Sequence, residues 1–354
     1  MSRARRIAAL GAGAAAVAAA GAAARTVARA RRDRVRIARH TPIGSLEHTA
    51  TSETTVVTTD GVNLHVEIDE PEQPRDNAPL VILIHGFTLS SRMWVFQRRA
   101  LLAAGYRVLT YDQRGHGRSG SGDLADTTIE QLGIDLRTVI DQVVDDVAAD
   151  TPIVLVGHSL GGMAMMGFGQ TSPELIGPRV VAACFMATSA GGKGRLISLG
   201  YGAFFGRLIE RFGPGALDVL SRQEGFLKTL RRFGRNVEDY FVARYAFSAP
   251  ANQTLVRFTG DLAFETAFTT IGGFIATFND HDRREALGVW GAVPTLVITA
   301  RDDVLTPEDH GRDIAAAIPG SEHVLVANAG HLVMLEHADV VDEELLELLS
   351  ELSS

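Results

Sequence analysis

The stretch PIVLVGHSLGGMAM, Pro152 to Met165, drives a run of apolar β-formers into a serine held between glycines. Such a serine is either an ordinary helix N-cap or a nucleophile lifted on a tight strand-to-helix turn. Gly157-His158-Ser159-Leu160-Gly161 fits G-x-S-x-G. A nucleophile at that turn sits in strained backbone, and a Cβ two residues before or after it would collide across the turn, so both glycines are required. The helix expected over Leu160 to Gly169 aims its N-terminus at the serine, which favours developing negative charge. The rest of the chain decides between the two readings.

Outward from this stretch, short continuous apolar runs recur at Leu80 to Ile84, Val108 to Tyr111, Ile153 to Val156, Val180 to Met186, Thr295 to Thr299 and Val324 to Ala327. Continuous runs mark strands buried on both faces, hence a parallel sheet with helices on either side. Arg92 to Ala104 and Thr128 to Val147 have helical length and spacing. Upstream, TTVVTTDGVNLHVEID reads as a hairpin around Asp60-Gly61. Two hairpin strands and six buried ones predict an α/β fold with a doubly wound, mostly parallel eight-stranded sheet.

One connection is far longer than a crossover needs: from about Ser189 to Pro294 more than a hundred residues intervene. It reads as helical and carries Phe204, Phe205, Phe212, Phe226, Phe233, Tyr240, Phe241, Tyr245 and Phe247. Residues 191–275 are therefore expected to form an inserted helical cap, with a sheet-flanking helix near Arg283 to Leu287. The core is then 51–190 plus 276–354, and 1–50 is an arm. Most cap aromatics are expected in the cap's own core, a minority along a substrate pocket.

The chain has 354 residues, 46% hydrophobic and 21% charged, with a net charge of −8. That composition suits a globular body and excludes a polytopic membrane protein. A lone cysteine, Cys184, in an apolar run is expected to be a buried structural thiol. Up to Arg39 there are ten arginines and one acid, so the arm is about +9 and the body about −17. An acidic body argues against nucleic-acid binding.

Within the arm, Ile7 to Ala24 is an 18-residue apolar stretch, long enough to cross a bilayer as a helix, though twelve of its residues are alanine and three glycine. The first reading is a single membrane anchor. The larger basic flank follows it, which places the body on the cytoplasmic side. Competing readings are a cleaved export signal ending near Ala22 to Ala24, or an arm of a soluble cytoplasmic protein that touches anionic lipid or packs on the body.

A serine hydroxyl is inert near neutrality without a base and an oxyanion site. Of eleven histidines, His331 follows the last strand, behind Gly330, at the carboxyl edge where ligand chemistry collects in open α/β sheets. His85 and His158 end strands but flank other motif residues and read as structural; His281, in NDHD, reads as a solvated loop residue. The acid that orients the base follows the Thr295 to Thr299 strand, in ARDDVLTP: Asp303, with Asp302 as the alternative. The order Ser159, Asp303, His331 then places all three at strand ends. Two backbone N–H groups complete the set, Leu160 after the nucleophile and Phe87 in HGFTLSSRMW.

With those residues in place, the chain over about 54–350 resembles the α/β-hydrolase superfamily, in particular its capped, serine-dependent members. The resemblance rests on His85-Gly86, Asp112 to Ser119 (DQRGHGRS), the Ser159 elbow, Asp303 to Pro307, and Gly330-His331. It implies that DQRGHGRS braces the loop beside the site. Ala300 departs from the glycine often found before the acid loop, which leaves Asp302 beside Asp303.

Relatives that open epoxides or displace halide use a carboxylate at the elbow, so Ser159 points to acyl chemistry on an ester or related small molecule, with no cofactor and no metal. Carbon–carbon bond hydrolysis, thioester hydrolysis, acyl transfer and cofactor-free perhydrolysis use the same triad. A non-catalytic binding protein of this fold would have less reason to keep it. An aromatic cap suggests an apolar substrate.

Overall fold

A computed structural model describes residues 33–37, 44–144, 151–192, 239, 242–248 and 250–352. In chain order its elements are β1 (Asp33–Ile37), β2 (Ser52–Val57), β3 (Asn63–Asp69), β4 (Leu80–Ile84), α1 (Val95–Ala103), β5 (Val108–Tyr111), α2 (Ile129–Val139) and β6 (Ile153–His158). There follow α3 (Leu160–Thr171), β7 (Val180–Met186), α4 (Gln253–Glu265), α5 (Phe268–Asn279), β8 (Thr295–Ala300), α6 (Glu308–Ala317), β9 (Glu322–Ala327), α7 (Val333–Glu336) and α8 (Ala338–Glu351).

The strands form one sheet in the order β1-β9-β8-β7-β6-β4-β5-β3-β2. Only β3 runs against the others: it pairs antiparallel with β2 and β5, and the remaining pairs are parallel. Every residue of β4, β5 and β6 is buried, as continuous apolar runs require. Alternation divides each strand between two cores. Leu80, Ile82 and Ile84 pack on the face of α2 and α3, while Val81 and Leu83 pack on the face of α1 and α8.

All eight expected strands are present, and a ninth joins them. Residues 33–37, read from sequence as part of the arm, form β1, which pairs parallel to β9. Arg34 reaches Glu322, Glu344 and Glu347 at 2.7–2.9 Å, and Arg36 reaches Glu343 and Glu344. The arginines thus meet the acidic face of α8 and, through Glu322, the neighbouring strand β9. Residues 7–24 lie outside the described ones; among the described residues no helix is long and apolar enough to cross a membrane.

Between β7 and β8 the described parts of the insertion are helical: 242–246, α4 and α5. Helix α5 runs past the expected cap boundary at 275. Seven of the nine cap aromatics, Phe204 through Phe233 with Tyr240 and Phe241, lie outside the described residues. Phe247 is buried against α8's side of the sheet. Cys184 is fully buried, and burial raises its thiol pKa.

His281 departs from expectation: it is buried, not solvated. The chain at 281–283 docks on the segment after β7, where Gly191 bridges Asp282 and Arg283 N–H donates to Ala190 O (2.8 Å). His281 Nε2 donates to the carbonyl of Ser189 (2.8 Å), and burial lowers its pKa. Its neighbours Asp280 and Asp282 suggested solvent; the pairing partner lies ninety residues away in sequence and decides otherwise.

Candidate active site

The sheet order reverses between β6 and β4, so the crevice of the doubly wound fold lies at the carboxyl ends of these strands. Ser159 stands there between β6 and α3, with φ 50° and ψ −113°. Few non-glycine residues hold a positive φ, and this one is held from both sides. Its N–H donates to Met186 O (3.0 Å), and its carbonyl accepts from Thr188 Oγ1 (2.6 Å) and Met163 N–H (3.1 Å). A Cβ on Gly157 would lie 2.7 Å from the Gly161 carbonyl, and one on Gly161 would lie 2.1 Å from the carbonyl oxygen of Ile84. The expected collision across the turn holds for Gly157, whereas at Gly161 the clash is with the end of β4. Ser159 is 9% exposed.

Asp303 and His331, from the loops after β8 and β9, come together. Because a carboxylate accepts, His331 Nδ1–H donates to Asp303 Oδ2 at 2.8 Å, and Nε2 is the nitrogen that carries the lone pair whenever the ring is neutral. Asp303 also accepts from Leu305 N–H (2.8 Å), Thr306 N–H (2.9 Å) and Thr306 Oγ1 (2.7 Å). It is buried, whereas Asp302 is exposed. His158, the residue before Ser159, ties the two loops: its Nε2 is 3.0 Å from the His331 carbonyl, and the two rings are centred 4.7 Å apart.

Two partners of this loop escaped the sequence reading. Glu336 is buried and accepts from Gly330 N–H (2.7 Å), from Ser248 N–H (3.1 Å) and from Ser248 Oγ. Leu332 N–H donates to Ala246 O (2.9 Å). A carboxylate inside the apolar run HLVMLEH was the available signal, since a buried acid needs donors.

On the other flank, Phe87 lies in the loop after β4. Among the described residues, neither its N–H nor that of Leu160 donates a backbone hydrogen bond. His85 Nδ1–H donates to Gly86 O (2.8 Å), and its Nε2 accepts from Gln113 N–H (2.9 Å), so both ring nitrogens are committed to structure. Gln113 Nε2 returns a hydrogen bond to His85 O (2.6 Å). The DQRGHGRS loop thus braces the Phe87 loop, and Asp112 Oδ1 accepts from Ser91 N–H (2.8 Å) further along it. Arg114 is fully buried between Asp135 (2.6 Å) and Asp60 (2.9 Å). The guanidinium holds Asp60 down to about 2.

The Phe87 ring packs edge-on against Phe274 (6.0 Å) and Phe278 (5.2 Å) of α5 and against His116 (5.8 Å). Neither phenylalanine was singled out from the sequence, which had looked to 204–247 for pocket aromatics. Burial, with the neighbouring His85, pushes His116 down to about 3. Burial also lowers His85.

Among the described residues one trio of metal-type donors, Glu53, His65 and Glu67, lies within 4.8 Å on the β2–β3 hairpin. Arg118 already pairs with Glu53 (3.2 Å) and Glu67, and Arg98 with Glu67. The carboxylates have their cations.

A family model described as the alpha/beta hydrolase family matches residues 81–344. A putative non-heme bromoperoxidase, BpoC, of Mycobacterium tuberculosis is 26% identical over 271 residues, 76% of this chain and 93% of that protein. A putative carbamate hydrolase, RutD, of Variovorax paradoxus is 26% identical over 303 residues, 82% of this chain and 97% of that protein. Among solved structures, the esterase EaEST of Exiguobacterium antarcticum superposes with a TM-score of 0.64 at 21% identity, covering 84% of this chain and all of that one. At that identity the superposition speaks for the fold alone.

Proposed function

The chain belongs to the alpha/beta hydrolase family, and we propose that it is a serine hydrolase that cleaves an ester or related acyl compound through an acyl-enzyme. In this reading Ser159 is the nucleophile, His331 the general base and Asp303 the group that orients it. The N–H groups of Phe87 and Leu160 receive the oxyanion. The observation that carries the reading is the 2.8 Å hydrogen bond from His331 Nδ1 to a buried Asp303, on a loop that His158 ties to the serine turn.

Ser159 Oγ attacks the acyl carbon as its proton passes to His331 Nε2. The imidazolium is favoured by the Asp303 carboxylate on its other nitrogen. The carbonyl oxygen, now an alkoxide, takes hydrogen bonds from two N–H groups that have no backbone acceptor among the described residues, so no existing bond is spent. Collapse expels the alcohol, which leaves with the proton held by His331. Water then gives its proton to His331 and its hydroxyl to the acyl carbon, and Ser159 is restored as the acid departs.

In this reading the chain's own side chains and two backbone N–H groups supply each step. The apolar surround of Phe87 supports an apolar acyl or alcohol group. A panel of p-nitrophenyl esters tests the proposal: Ser159→Ala lowers kcat by about 10⁶-fold, as removal of a triad serine does. Wild-type rates in that variant would overturn it.

A further inference from the structure

We infer that His158 is the positioning residue of the site, holding the base loop, the serine turn and the Phe87 loop in register by donating its Nε2–H to the backbone carbonyl of His331 while its opposite edge seats against Gly86. The inference rests on the serine-hydrolase reading and adds a residue to it.

The chain geometry places His158 for this work. It is the last residue of β6, and alternation along that strand sends its side chain to the face of Val154 and Val156. That is also the face on which Leu332 and Val333, the residues after His331, pack. The ring is fully buried. A carbonyl can only accept, so the 3.0 Å contact to His331 O fixes the proton on Nε2. The other edge is equally confined: a Cβ on Gly86 would lie 2.5 Å from His158 Nδ1 and 2.9 Å from Cε1. Gly86 precedes Phe87, the oxyanion donor of the proposed mechanism. One side chain therefore touches the base loop and the oxyanion loop, and its own backbone leads into the nucleophile.

The chemistry explains the choice of a histidine. Among the described residues no backbone donor outside the helices and strands reaches the His331 carbonyl, so without the His158 side chain a buried acceptor is left open and the loop is free to tilt. Lysine or arginine would bring a fixed positive charge against a ring that must itself become positive during turnover. Burial and the nearby His331 keep His158 well below the ordinary histidine pKa, so it donates as a neutral ring throughout. Asp303 orients His331 from its side chain; His158 orients it from its main chain.

The test compares His158→Gln, which keeps an N–H donor at similar reach, with His158→Met, which fills the space without one, and with His158→Ala. Each is assayed on a p-nitrophenyl ester, with kcat expressed per active serine counted by a fluorophosphonate probe. His158→Met and His158→Ala are expected to lower kcat about 10- to 100-fold with KM within about threefold, as displaced catalytic groups do. His158→Gln is expected to recover most of the loss. If kcat per active serine is unchanged in His158→Met, or if His158→Gln falls as far as His158→Met, His158 only fills space and the inference is wrong. Failure of the underlying reading looks different: wild type and Ser159→Ala would then behave alike towards both probe and ester.

Discussion

The two flanks of Ser159 are built from opposite materials. The base flank is held by carboxylates: Asp303 on the His331 ring, and Glu336 on Gly330 and Ser248. The oxyanion flank is held by neutral rings: His85 and His116, both kept uncharged by burial, with Phe87, Phe274 and Phe278. Asp112, whose charge reaches His85, gives its two oxygens to the N–H groups of Ser91 and Arg118. The division follows the charge that each side must meet. In the proposed mechanism the imidazolium forms where anions are fixed, and the alkoxide where they are absent or already occupied.

The sharpest way to break this comparison is on the base side. Asp303→Asn keeps the shape and removes the charge, and kcat is expected to fall about 10⁴-fold, as it does when a triad carboxylate becomes an amide. Asp302→Asn, exposed next door, should stay within about twofold, as surface substitutions do. Equal losses in the two variants, measured as kcat on one aryl ester, would contradict the assignment.

On the oxyanion side the expected loss is smaller and its form differs. Phe278→Ala removes the ring nearest Phe87 and loosens a backbone donor without deleting it. We expect kcat to fall about 5- to 20-fold with KM little changed, less than the cost of removing an oxyanion donor outright. A change confined to KM would make Phe278 a substrate contact instead.

The smallest effects concern stability, and here the flanks have opposite signs. Asp342 lies behind the base loop, where Gln97 Nε2 donates both to its Oδ1 (2.9 Å) and to Met334 O (3.1 Å). Burial lifts Asp342 to about 7. A carboxyl raised in the folded state contributes stability below its unfolded pKa of about 4, lost as pH rises through 7. Asp342→Asn should therefore raise Tm by on the order of 1–3 °C at about pH 8 and leave it unchanged near pH 4. His116 is depressed, so its contribution is present above about 6.5 and lost as pH falls towards 3. His116→Asn, which keeps a donor for the Arg114 carbonyl, should flatten the fall in Tm between about pH 6.5 and 5. Thermal scans across pH check both; slopes unaltered by either variant would remove the electrostatic half of the comparison.

What could be read from the chain divides along similar lines. The strand-end places of Ser159, Asp303 and His331 were legible because each follows a buried run, and the glycines near Ser159 and His331 mark close approaches that local sequence announces. The sequence put Asp303 first and kept Asp302 as the alternative, because what distinguishes two adjacent aspartates is burial, not identity. Strand β1 hid within an arginine-rich arm. Its RVRI alternation is a strand signal, yet what holds it is a set of glutamates about three hundred residues away. Glu336, His281 and the pair Phe274 and Phe278 were missed for the same reason: their roles come from partners brought close only by the fold.

The most direct test of the account is to treat the purified full chain with a fluorophosphonate and locate the adduct by peptide mass spectrometry. A single adduct on Ser159, formed far more slowly in His331→Ala and absent in Ser159→Ala, is the predicted result. An adduct on another residue, or labelling that survives unchanged without Ser159, would contradict it.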